Sequence, residues 1–190
     1  AGQITLGNLY AAEGNNLRTL FDFGDNSFKF KNFSGKEQFV ASYPFPNYQY
    51  DLFQRAIMGL SQHNAFEGKH SSVGERSMLG VFQEVAKALA DCPVGGLATF
   101  DLMFEGIRTA LKSSVQQSIQ IAERNLDDPF AVRVLKALFL VKYVKEFQKA
   151  TVTNLTTLLI SDMDEDRLAL TQKVQDALEV LIHETLVQKN

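Results

Sequence analysis

Cysteine occurs once, at Cys92, and proline only four times in 190 residues. A single thiol cannot form a disulfide within the chain, so a reducing compartment, the cytoplasm, is the expectation. Long apolar runs are missing too. The longest aliphatic or aromatic stretch is Ala137-Leu-Phe-Leu-Val141, bounded by Lys136 and Lys142. A helix needs roughly 20 apolar residues to cross a bilayer, so no membrane partner is expected. The opening residues Ala1-Gly-Gln-Ile-Thr-Leu6 carry neither a basic segment nor an apolar core, and no secretory signal is expected there. Both ends fall at arbitrary places, as in a piece of a longer chain. Charge of one sign is also lacking: 19 Lys and Arg stand against 22 Asp and Glu. The resulting −3 gives no global pull toward nucleic acid or anionic lipid.

Catalytic signatures are equally scarce. There is no Gly-x-Ser-x-Gly elbow and no Gly-x-x-x-x-Gly-Lys-Ser/Thr phosphate loop. Cys92 precedes Pro93 with no histidine base beside it, which argues against a thiol nucleophile. The run Asp162-Met-Asp-Glu-Asp166 imitates a calcium loop, but Arg167 stands where glycine is needed and Lys173 where a bidentate Glu is needed. The chain by itself therefore reads as non-enzymatic and without a cofactor of its own.

What is present is helical periodicity, and the fold class reads as mainly α. Residues 1–46 form the exception. They are rich in aromatics and turn formers, and Phe21/Phe23 and Phe28/Phe30 alternate around Gly24-Asp-Asn-Ser27, which predicts an irregular segment or short hairpin. Residues 47–128 read as a helical bundle. Asn47 caps a helix with Phe53, Ile57 and Leu60 on one face, and a second helix spans roughly 75–90. A long third helix is capped by Thr99 or Asp101 and carries Phe104, Ile107, Leu111, Val115, Ile119, Ala122 and Leu126 at spacings of three and four.

Residues 129–190 make the third unit. Asp128-Pro129 starts a buried helix over 130–148, Thr151 or Thr153 a short one through Ile160, and Asp162 and Asp164 cap a last helix over 165–185. That order resembles a winged helix, with Leu186–Asn190 as the first strand of a wing. The last helix is acidic, carrying Asp164, Glu165, Asp166, Asp176, Glu179 and Glu184 against Arg167 and Lys173. It could neutralise few phosphates, so reading of a DNA groove is not expected of it. Lys142, Lys145 and Lys149 form a stripe on the preceding helix and are the candidates for a DNA-backbone contact, with a solvated face as the simpler reading.

The densest chemistry lies in Phe66-Glu-Gly-Lys-His-Ser-Ser-Val-Gly-Glu-Arg76, a polar loop feeding a helix start. Free backbone N–H groups and the positive dipole end meet at such places, which suits an anion. Lys69 is an anion-contact candidate. Arg76 at a helix start opposes the dipole unless an anion, or the neighbouring Glu75, compensates. His63, Glu67 and His70 fall at i, i+4 and i+7 and would hold zinc on an uninterrupted helix, but Asn64 and Gly68 predict that the helix ends first.

Two tracts within this region resemble a known family. Ser42-Tyr-Pro-Phe-Pro-Asn-Tyr-Gln-Tyr-Asp-Leu-Phe-Gln54 and Gly68-Lys-His-Ser-Ser-Val-Gly-Glu-Arg-Ser-Met-Leu79 look like the region beyond the ATPase core of the large P-loop ATPase of BREX bacteriophage-resistance systems. Asp127 through Asn190 is similar to that family's following section. The resemblance implies an internal piece of an AAA+-like protein, with ATP and Mg bound by the parent core and with the rest of that ATPase and other BREX proteins as partners. It also implies a nucleotide-sensing role for Arg76, of the sensor-2 type. A stand-alone helical protein-interaction module is the alternative.

Overall fold

A computed structural model describes residues 2–24, 30–68, 75–147 and 149–189, and the side chains of 75–77 are outside the described set. Among the described residues the chain is mainly helical, with only isolated bridges, Phe66 to Leu111 and Gly96 to Asp162, in place of strands. The helices are α1 (Gly2–Leu20), α2 (Lys36–Ser42), α3 (Tyr48–Gln62), α4 (Glu75–Ala88), α5 (Met103–Ile107), α6 (Gln117–Asn125), α7 (Pro129–Val141), α8 (Val152–Leu158) and α9 (Arg167–His183). Short 3-10 turns, Phe100–Leu102 and Arg108–Ala110, flank α5. None of the described helices is long and apolar enough to cross a membrane.

The core is one cluster of buried side chains running from Leu17 to Leu181, continuous across residues 46/47 and 128/129. Its centre is α7. From Phe130 to Val141 no residue of that helix is exposed, and α3, α5, α6, α8 and α9 all pack on it. Asp128 caps α7 as expected, its Oδ1 accepting from the Phe130 and Ala131 amides at 3.1 Å each, with Pro129 in the first turn. The aromatic N-terminal part packs as side chains rather than as a sheet. Phe23 lies edge-on to Tyr48 and Phe147 with centroids at 5.0 and 5.8 Å, and Phe33 edge-on to Phe39 at 5.2 Å.

Four expectations are corrected here. The first is α1, a 19-residue helix where the sequence suggested an irregular stretch. Its interior Gly7 and Gly14 each cost about 1 kcal/mol relative to alanine, which masks the helical signal. Burial of Leu17 and partial burial of Leu6, Leu9 and Leu20 offsets this, at about 1.5–3 kcal/mol per fully buried side chain. Groups distant in sequence finish the helix. Asn32 Nδ2 donates to the Leu17 and Arg18 carbonyls at 2.8 and 3.2 Å, and Arg167 Nη1 donates to the Leu20 carbonyl at 2.6 Å. The proposed hairpin tip at 25–29 lies outside the described residues.

The second correction is the long helix expected to run on from Thr99 or Asp101, which is broken. After the 3-10 turn at 108–110, Leu111 turns extended (φ −80°, ψ 142°). Its neighbours pair with the chain leaving α3: Glu67 N–H donates to the Ala110 carbonyl at 2.9 Å and Lys112 N–H to that of Ala65 at 3.0 Å. The third is α7, which ends at Val141 rather than 148. Val144 N–H donates to Val141 O, and Phe147 N–H to Val144 O, both at 3.0 Å. These three-residue turns bury Val141, Val144 and Phe147 and turn Lys142 and Lys145 outward.

The fourth concerns the C-terminal part. Asp166, not Asp162 or Asp164, caps α9, accepting from the Ala169 amide at 3.1 Å. Asp162 instead accepts from the Asp164 amide at 2.8 Å in the preceding turn. Past α9, Thr185 adopts φ +56° and the Leu186 amide returns to the Leu181 carbonyl at 3.0 Å. Leu186 and Val187 thereby fold onto the core, and the first strand of a wing is not formed among the described residues.

Candidate functional site

The stretch 66–76 has two stems, and both rest on one short segment. On the N-terminal side α3 stops at Gln62, Asn64 takes φ +55°, and Phe66 pairs with Leu111. Phe66 and Leu111 are both buried, 2% and 3% exposed. On the C-terminal side α4 packs on α5, where Val81 presses against the bare Cα of Gly106. A Cβ on Gly106 would come within 2.5 Å of Val81 Cγ1. Phe82 of α4 completes the seating against Phe45 and Phe53, with centroids at 5.0 and 5.6 Å, and against Tyr50 at 4.7 Å. Burial raises the Tyr50 pKa.

Arg76 belongs to the first turn of α4, and its side chain, like Lys69 and His70 entirely, lies outside the described residues. The start of α4 is thus fixed on the core just beyond the arginine. Glu67 is exposed, its amide engaged by Ala110. His63 ends α3 and stacks face to face on Tyr143, 3.9 Å between centroids at an interplanar angle of 14°. With α3 ending there, His63 and Glu67 do not share a helix face, and His70 lies outside the described residues. Among the described residues no group of three or more His, Cys, Asp or Glu side chains could hold a metal ion.

The His63 stack brings the candidate lysines close to this end of α3. Lys142 Nζ lies 5.2 Å from the Tyr143 ring centroid, and Lys142, Lys145 and Lys149 are all exposed. Lys142 and Lys145 sit on turns and Lys149 on an irregular segment, so they do not form one helical stripe. The one carboxylate among them in sequence, Glu146, is bound by Arg55, which also binds Asp51 at 2.9 Å. Tyr143 went unnoticed in the sequence; an aromatic between two lysines after a buried helix was the available signal.

The short segment on which both stems rest carries, at Glu105 and Arg108, a charged cluster that sequence reading also missed. Arg108 binds Glu105 at 3.2 Å and Glu123, while Lys136 binds Glu105 at 2.8 Å and Glu123 at 3.1 Å. Both cations stand over the Phe104 ring, at 5.1 and 5.7 Å from its centroid. Burial alone would push the Glu123 pKa up, but hydrogen bonds and charge from Arg108 and Lys136 outweigh it and hold the carboxyl below its usual range. Arg108 likewise loses by burial and gains more from Glu123 and Glu105, so its pKa is raised.

No protein-family model matches the chain, and no solved structure matches it.

Proposed function

We propose that this chain is the helical, non-catalytic part of a BREX-type phage-defence ATPase, and that it couples the parent's nucleotide state to engagement of a partner or of DNA. The observation that carries this reading is where the two resembling tracts fall. Ser42–Gln54 leads into α3 and Gly68–Leu79 into α4, the helices on either side of the cation-bearing stretch 66–76. Arg76 stands in the first turn of a helix seated by Val81 and Phe82, which suits an arginine that must meet an anion supplied from elsewhere. The chain has no phosphate loop, so ATP and Mg would be held by the parent's core, and no chemical step falls to the residues described. The test is Arg76→Ala in the intact parent protein. ATP turnover should fall while folding is preserved; unchanged turnover removes the sensing role.

A helical protein-interaction module is the second reading. It is favoured by apolar side chains left in solvent on α3 and α4, Met58 at 54% and Leu79 at 70% exposure. Pull-down with other defence proteins, run beside mobility shift on DNA at two salt concentrations, separates the two. Retention of protein without DNA, unaffected by Arg76→Ala, would favour the module. Loss of DNA retention on replacing Lys142, Lys145 and Lys149 would instead assign those lysines to a backbone contact.

A further inference from the structure

Residues 106–111 make two sets of contacts and have no regular helix long enough to hold them by itself. One set carries both stems of the loop: Gly106 under Val81 of α4, and Ala110 and Leu111 against Glu67 and Phe66. The other is made by Arg108, which binds both Glu105 of α5 and Glu123 of α6, the same two carboxylates that Lys136 of α7 binds. The Gln116 amide ties the break itself, its Nε2 donating to the carbonyls of both Arg108 and Leu111 at 3.3 Å. Short 3-10 pieces have weaker hydrogen-bond geometry than α-helix and often mark places where a chain yields. The packing of Val81, Phe66 and Leu111 on the stem side does not yield in the same way, because close-packed contacts transmit displacement rather than absorb it.

We propose that residues 106–111 are a relay: displacement of either loop stem is delivered to α6 and α7 through the Arg108–Glu123–Lys136 cluster. A structural staple would hold these elements together; a relay also makes the state of α6 depend on the seating of α4. The inference takes from the proposed function only what would move the stems, an anion met at the start of α4. The linkage itself belongs to the chain and is tested without nucleotide, so its failure is separate from failure of the Arg76 experiment.

The test is amide hydrogen exchange on the 190-residue chain. Val81→Ala removes the methyls that press on Gly106, and Gly106→Ala wedges the same contact from the other side. Each is expected to speed exchange at residues 119–123 of α6 by about fivefold or more, the factor that corresponds to a modest local destabilisation. In an Arg108→Gln background the same substitutions should no longer change exchange at 119–123. The proposal is overturned if the changes stay within α4 and residues 103–107, or if α6 responds equally with and without Arg108. Should Gly106→Ala fail to fold, Val81→Ala carries the test by itself.

Discussion

Gly59 and the carbonyl of Tyr143 are in direct apposition: a Cβ on Gly59 would sit 2.6 Å from Tyr143 O and 2.9 Å from Tyr143 Cβ. Because the obstacle includes backbone, no rotamer change can clear it. Gly59→Ala should destabilise the chain by about 1–3 kcal/mol, the usual cost of overpacking, although alanine is the better helix former. Thermal melting checks this, with a lowered midpoint expected and an unchanged or raised midpoint as the contrary result.

Arg167 fastens three parts of the chain. Its guanidinium donates to the carbonyls of Leu20, Asp22 and Thr153 and to Thr157 Oγ1, at 2.6, 3.4, 3.3 and 2.7 Å. Burial lowers its pKa, with the Asp22 charge acting the other way. Arg167→Met keeps the aliphatic stem and removes every donor. Hydrogen bonds to a charged group are worth roughly 1.5–3 kcal/mol each, so a loss near the upper end of that range is expected overall. Circular dichroism should show lost helix, with amide exchange assigning the loss to the C-terminal half of α1.

Acid should weaken the link between α5, α6 and α7. The folded-state pKa of Glu123 is lowered from 4.5, so its stabilising contribution is complete above that value and is lost as pH falls through the folded pKa. Glu123→Gln should flatten that part of the pH dependence and lower stability at neutral pH. Glu165 works in the opposite sense: burial raises its pKa above 4.5, so its ionisation costs stability as pH rises through and above that value. Denaturant midpoints from pH 3 to 7 for wild type and Glu123→Gln would separate the two.

At the alkaline end Tyr48 should dominate. Burial holds its phenol protonated far above the ordinary value of 10.0, with Asp101 adding to the shift and the Gln49 hydrogen bond opposing it. A folded pKa above the unfolded one means stability that is full below pH 10 and declines as pH rises past it. Tyr48→Phe should show a shallower decline above pH 10. An identical slope in both proteins would show that another group controls it.

How much of this was legible depended on whether the deciding partner was near in sequence. The helices α3, α4, α7, α8 and α9 were visible because their apolar spacing and several of their caps are local. Asp128 with Pro129, and Thr151, whose Oγ1 accepts from the Asn154 amide at 3.2 Å, needed nothing from elsewhere. The break at Leu111 was not visible, because the spacing of Phe104, Ile107 and Leu111 is perfectly helical and the competing partner, Ala65–Glu67, is more than forty residues earlier. Residues 142–147 were ambiguous for a geometric reason. Apolar side chains every third residue suit both an α-helix and a string of tight turns, and Gly59 decides between them by admitting the Tyr143 carbonyl.

At the candidate site the sequence located the helix α4, and residues 69–74 of the expected loop lie outside the described residues. It did not show that both stems stand on 106–111, since Gly106 carries no side chain to betray a contact. Tyr143 was hidden for a different reason: stacking on His63 depends on where two unrelated helices happen to end.

The way α1 is secured has a consequence for how the chain comes apart. Asn32 and Arg167 hold only its last turns, while residues 2–5 are exposed and the next buried position is Gly7, covered by the Lys36 side chain. Opening should therefore run from the exposed first turn of α1 toward its clamped end, like a cantilever. Asn32→Ala, outside the helix altogether, would loosen it at the root.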